Sequence, residues 1–272
     1  MDAATVAGFG DEWRRFNQSA VSPAEMRRRF DEYFCLFPWQ ELPPQAEGFD
    51  MGSGSGRWAK LVAPRVGKLH CIDASAEALE VSRAHLQGIT NCCFHHASVS
   101  DLPLADDSMD FGYSLGVLHH IPDTAAGLAC CVRKLKRGAP FLVYIYYRFD
   151  NRPSWFRSIW AVSDALRRVV CRMPSAARAA ISQAIAAGVY LPLARTAALA
   201  ERRGFDVAHL PLSAYRQASF YAMRTDALDR FGTRLEKRFT KLEIQGMMEA
   251  CGLERIRFSE QVPFWCAVGY RR

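Results

Sequence analysis

Two hydrophobic periods divide the chain. Trp13 and Phe16, then Met26, Phe30, Tyr33 and Phe37, recur at helical spacing, and Pro38, Pro43 and Pro44 close that stretch. Residues 1–47 therefore read as a helical N-terminal cover. From 48 to 147 short apolar runs alternate with helical ones, the pattern of a parallel α/β sheet. A first strand ends at Phe49-Asp50, and a helix from Arg57 stops near Pro64. A second strand, Lys68 to Ile72, ends at Asp73. Ser75 caps a helix running to about Gln87, with Gly88 just beyond it. Cys92–Ala97 and Asp110–Leu115 are strands three and four. Pro122 opens the next helix at its first position, Gly138 ends it, and Pro140–Tyr147 is strand five.

Residues 148–237 form a largely helical insertion. In it Trp155, Ile159, Val162, Leu166, Val169 and Met173 are spaced 4, 3, 4, 3 and 4. Such a stripe predicts a face packed on protein, with Arg157, Arg167 and Arg168 turned to solvent. Ala179–Ala200 is apolar but Ala-rich, and it contains Gln183, Pro192 and Arg195, so a helical lid fits it better than a membrane span. Residues 238–272 return to the α/β pattern. Thr240 and Glu243 make a capping box, Gly252 closes the helix, and Glu254–Phe258 and Phe264–Tyr270 are two strands. Two strands after a last helix predict an antiparallel hairpin at a sheet edge.

Composition narrows the class only coarsely. With 272 residues, 50% hydrophobic and 23% charged, the chain is globular rather than disordered or fibrous. Nine cysteines without a C-x-x-C pair give no zinc spacing, so no metal site is expected. They read as buried thiols in a reducing compartment, and the acidic N-terminus has no export signal, so a cytoplasmic location is expected. The net charge of +7 is carried by an Arg-rich stretch, 148–203, with ten arginines against three acids. That charge suits nucleic acid, an anionic membrane or an acidic partner, or simply a solvated helix face.

The chemistry begins at Asp50-Met51-Gly52-Ser53-Gly54-Ser55-Gly56-Arg57, a glycine turn between a strand and a helix. Its backbone N–H groups can approach a ligand closely. Read from Gly54, it also satisfies G-x-G-x-x-A, so the turn alone leaves NAD and other nucleoside ligands open. Asp50 discriminates. A carboxylate under the loop repels a pyrophosphate and holds an ammonium.

The D-x-G-x-G-x-G string resembles motif I of the class I S-adenosylmethionine (SAM)-dependent methyltransferases. Asp101 to Asp110 and Ser114 to Asp123 resemble that family's segments around strand four, and Thr240 to Tyr270 its closing helix and hairpin. The resemblance implies a Rossmann-like α/β fold: a mostly parallel seven-stranded sheet with an antiparallel C-terminal hairpin, a helical N-terminal cover and a large helical lid. It implies SAM as cofactor, with Asp50, Gly52, Gly54 and Gly56 on the methionine part. Asp73 would chelate the ribose, with Ala74, Ser98 and Val99 at the adenine, and the Leu115 carbonyl would face the amino group. The family often has an acid where Ser98 stands, so a hydroxyl or a water must serve here.

His119 and His120 are general-base candidates, because imidazole titrates near neutrality, or else they are structural. His120, Tyr147 and Tyr215 are the expected catalytic residues, the tyrosines as an aromatic cage for a sulfonium or as orienters of the nucleophile. Methyl transfer to a small organic acceptor under a closing lid is the expected reaction. Two alternatives stand beside it. One is a SAM-consuming cyclisation to azetidine-2-carboxylate and methylthioadenosine; the other is a non-catalytic module binding an anionic partner. A small-molecule substrate is expected, without nucleic acid or a membrane span; the oligomeric state is not readable from sequence.

Overall fold

The computed structural model describes residues 3–18 and 20–272. The chain divides into two compact units. The first is Met1–Gln18, Met26–Arg148 and Leu235–Arg272; the second is Ser19–Glu25 and Phe149–Arg234.

In the first unit, helices α1 (Ala3–Arg15) and α2 (Pro23–Tyr33) precede strand β1 (Glu47–Met51). Then follow α3 (Ala59–Val62), β2 (Lys68–Asp73), α4 (Ala76–His85), β3 (Cys92–His96), β4 (Phe111–Leu115), α5 (Thr124–Lys134) and β5 (Pro140–Tyr144). The seven strands take the order β3-β2-β1-β4-β5-β7-β6, where β6 is Leu253–Phe258 and β7 is Cys266–Arg271. β1 to β5 are parallel, and β7 runs antiparallel to both β5 and β6. This is the sheet that the alternating pattern predicts. Its core is aromatic: Phe30, Phe34, Phe37, Trp58, Phe111 and Tyr113 cluster with Leu69 and Leu142. Residues on adjacent strands face the same layer, so the apolar runs of β1, β4 and β5 become one continuous buried surface.

Most boundaries follow their sequence signals. Ser75 accepts the Ala78 N–H at the start of α4, and the capping box of Thr240 and Glu243 is complete at α10 (Lys241–Ala250). The helix expected from Pro122 starts later. Asp123 has extended backbone and its carboxylate accepts the Ala126 N–H, so α5 begins at Thr124 and Pro122 stays in the loop. Strand five ends at Tyr144, which leaves Tyr146 and Tyr147 beyond the ladder. Of the nine cysteines, Cys71, Cys131, Cys171 and Cys266 are buried, and Cys35 is exposed.

The second unit holds α6 (Ser154–Val170), α7 (Ser175–Ile185), α8 (Leu191–Arg202) and α9 (Phe220–Gly232). A π-helical turn, Ala186–Tyr190, joins α7 to α8 just ahead of Pro192, and no described helix is long and apolar enough to cross a membrane. Small residues let these helices approach: Ala186, Ala194, Ala218, Ala222 and Ala227 pack with Met223, Tyr190 and Phe231. The face that α6 buries is not the expected one. Asp164 and Val170 point inward with Arg167, which is only 6% exposed. Trp155, Ile159, Val162, Leu166 and Val169 lie outside, and Val162 is 74% exposed. An ion pair causes the inversion. Arg167 Nε donates to Asp164 Oδ1 at 2.7 Å and Arg167 Nη1 donates to the Thr233 carbonyl at 3.0 Å, which fixes the polar side of α6 against its unit.

Candidate cofactor and catalytic site

The sheet order reverses between β1 and β4, where the loops leaving two neighbouring parallel strands diverge and open a crevice. Both motif loops sit there. After β1, Gly52, Gly54 and Gly56 all take positive φ (81°, 53° and 73°), which folds the loop tightly, and their N–H groups donate to the Ile72 carbonyl, Asp73 Oδ2 and the Ser53 carbonyl, each at 2.8 Å. The β4 loop lies against them: a Cβ built on Gly52 would stand 2.3 Å from Val117 Cγ2.

Asp50 closes the bottom of this crevice. Its side chain is buried, and its Oδ2 has no hydrogen-bond partner. Burial, reinforced by the charge of Asp73, pushes its carboxyl up to about 8; the Tyr113 hydroxyl and Arg57 offset only part of that. A carboxylate held so far from its comfort fits a cationic ligand group, which would restore the ionised form. Asp73, at the end of β2, accepts the Gly54 N–H through Oδ2 (2.8 Å) and the Ser75 N–H through Oδ1 (2.9 Å). It thereby ties the glycine loop to α4. A carboxylate has about four acceptor positions, so capacity remains for a vicinal diol. Burial raises its pKa against the pull of those N–H groups. Ala74 follows, its carbonyl bonded to His96 Nε2 at 2.9 Å. Ser98 Oγ is 2.7 Å from Ser100 Oγ, and Val99 is buried. The residues present thus fit a nucleoside bearing an ammonium.

On the β4 and β5 side the two histidines part company. His119 is fully buried, its ring stacked on Tyr146 with centroids 3.8 Å apart. The Tyr146 N–H donates to His119 Nδ1 at 3.4 Å, a long contact. Burial, with the charges of His120 and Arg238, holds His119 well below 6.5. Its burial favours the neutral imidazole. His120 Nδ1 lies 2.7 Å from the Leu235 carbonyl, which only a protonated Nδ1 can bond; neutral His120 therefore has its lone pair on Nε2. That is the tautomer a general base needs. Phe9 meets the His120 ring edge-on at 5.0 Å, and Arg238, paired with Glu236 at 2.8 Å, lies 5.0 Å over the Tyr146 ring.

Of the expected residues, Asp50, Gly52, Gly54, Gly56, Asp73, Ala74 and Leu115 line the ends of β1, β2 and β4. Tyr147 is grouped with Phe264 (5.6 Å) and Trp265 (6.4 Å), and its backbone bridges Phe239. Tyr215 belongs to the second unit, where its ring lies 5.3 Å from Tyr190. Tyr146, rather than Tyr147, shares the histidine cluster. Sequence reading overlooked Phe9, and it placed Trp13 only in a helical stripe. Trp13 covers Gly54, its ring 2.9 Å from where a Cβ would stand. The i, i+4 spacing of Phe9 and Trp13 marks a helix face, but nothing local reveals what that face covers. His96 and Arg238 stand just outside the segments singled out in the sequence, two residues before Ser98 and Thr240 respectively.

Comparison with known proteins agrees with this geometry. Residues 49–143 match the methyltransferase domain family. The chain is 31% identical over 100 residues to the uncharacterised methyltransferase YcgJ of Bacillus subtilis, covering 36% of this chain and 40% of YcgJ. It is 33% identical over 91 residues to the ubiquinone biosynthesis O-methyltransferase of Alkalilimnicola ehrlichii, covering 33% and 37% of the two chains. The alignments thus span about two fifths of those curated relatives. The crystal structure of YcgJ superposes with a TM-score of 0.50 at 18% identity, over 83% of this chain and 69% of that one, a likeness of fold. Residues 49–143 are thus similar to a methyltransferase domain, and the cofactor that this likeness implies is SAM.

Proposed function

We propose that the chain transfers a methyl group from SAM to a small organic acceptor. The observation that carries this reading is the buried, unpartnered Oδ2 of Asp50 beneath the glycine loop. Bound there, SAM supplies an electrophilic methyl on a sulfonium. Asp50 would hold the ammonium of the methionine part, with Gly52, Gly54 and Gly56 closing the loop beside it, and the Leu115 carbonyl would accept from the ammonium. Asp73 would hold the ribose, and Ala74, Ser98 and Val99 the adenine. Trp13 would keep water off the loop. His120 Nε2 would take the proton from the acceptor as it attacks, with Tyr146 as the aromatic neighbour of that step.

The experiment is an incubation of the purified chain with SAM, alone and with phenolic or amine acceptors, products resolved by mass. S-adenosylhomocysteine appearing only with an acceptor supports the proposal. Methylthioadenosine formed from SAM alone overturns it.

A further inference from the structure

Thirteen large apolar side chains are exposed among the described residues, and eleven of them belong to the second unit. Five form one line along α6: Trp155, Ile159, Val162, Leu166 and Val169. The helix cannot roll to hide them, because Asp164 and Arg167 on its opposite side are locked to each other and Arg167 to the Thr233 carbonyl. Arg157 and Arg168, both exposed, lie at the other edge of the exposed arc of α6, across Ala161 and Ala165 from the stripe, and exposed Arg172 follows the helix end. The only acid on α6 is Asp164, which is buried among Arg167, Arg168 and Arg230. Segment 149–234 as a whole carries thirteen arginines, no lysine and six acids.

We propose that α6 docks on an anionic membrane surface, lying in its plane. A 17-residue helix presents a ridge about 25 Å long. Laid at the headgroup boundary, its apolar side chains reach the acyl region while Arg157, Arg168 and Arg172 meet phosphates. Trp155, at the N-terminal end of the ridge, is a residue type that settles at that boundary. Charge selects this occupant. A second copy packed on the same face would bring these arginines against their own kind, and nucleic acid offers nothing for five apolar side chains. The inference does not depend on which acceptor the enzyme methylates.

The test is co-sedimentation of the full chain with phosphatidylcholine vesicles, with and without phosphatidylglycerol. Binding should require phosphatidylglycerol and weaken as salt rises. Ile159→Glu with Val162→Glu, both at exposed positions, should lower binding about tenfold or more while the melting temperature stays unchanged. Arg157→Glu should weaken it as well. Three results would overturn the proposal. These are no sedimentation with anionic vesicles at low salt, stripe variants that bind like the parent, and a lipid-free dimer that the stripe variants abolish.

Discussion

Val117 fills the space that a side chain at Gly52 would need. A Cβ there would meet Val117 Cγ2 at 2.3 Å, and the Gly52 φ of 81° is one that L-residues rarely adopt. The two loops of the crevice are therefore fitted to each other, and their shape depends on this glycine. Gly52→Ala is expected to cost about 1–3 kcal/mol of stability and to remove the stabilisation given by S-adenosylhomocysteine. A thermal shift series with and without that ligand measures both.

Asp50 couples ligand binding to pH. With its folded pKa raised from 3.8 to about 8, the folded state holds the proton more tightly than the unfolded one. Its contribution to stability is present below about pH 4 and is lost as pH rises toward 8. An ammonium-bearing ligand needs the carboxylate ionised, so SAM affinity should climb over the upper part of that window. Asp50→Asn should flatten this dependence and cost at least about tenfold in affinity near pH 8, with no loss of stability. Parent-like affinity in the variant would remove Asp50 from the site.

The two histidines should separate kinetically. His120→Ala should lower turnover while SAM affinity stays near the parent value, because a base acts on the acceptor rather than on the cofactor. His119 has its pKa lowered by burial, so the unfolded state binds its proton more readily. Its contribution to stability is therefore present above about pH 6.5 and lost as pH falls below it. Urea unfolding of the parent and of His119→Gln at about pH 5 and about pH 8 should show a larger pH difference in the parent. Equal differences would contradict the neutral, buried assignment.

The ion pair under α6 offers a test of the second unit. Burial alone would raise Asp164, but the Arg167 hydrogen bond and the charges of Arg167, Arg230 and Arg168 bring it below its ordinary value. Arg167→Leu strands that carboxylate and should cost about 3 kcal/mol. Hydrogen exchange in α6 and α9 should rise more than in the sheet. Asp164→Leu added to Arg167→Leu should recover part of the loss.

Much of this was legible in the sequence because it is written locally. The alternation from 48 to 147, the Ser75 cap and the capping box at Thr240 are short-range patterns with one physical solution each. Asp50 stood out in the sequence because a carboxylate before a glycine turn conflicts with a phosphate ligand, and the structure buries it beneath that turn. What was not legible depends on distant partners. The stripe of α6 follows the rule for a buried face, yet Asp164, Arg167 and Arg230 outcompete it through bonds to residues more than 60 positions away. Tyr146 and Tyr147 are adjacent, and only the end of β5 at Tyr144 decides which of them meets the histidines. The covering of Gly54 by Trp13 joins segments 41 residues apart with no motif between them.

Calorimetric titration of S-adenosylhomocysteine into the parent chain and Asp73→Ala tests the central claim most directly. Asp73 both anchors the glycine loop through Gly54 and faces the crevice with acceptor capacity left over. The expected result is one saturable site per chain in the parent, and an affinity at least about tenfold weaker in the variant, the loss of a bidentate charged hydrogen bond. No binding by the parent at millimolar ligand, or identical affinity in the two proteins, would contradict the assignment of this crevice to SAM.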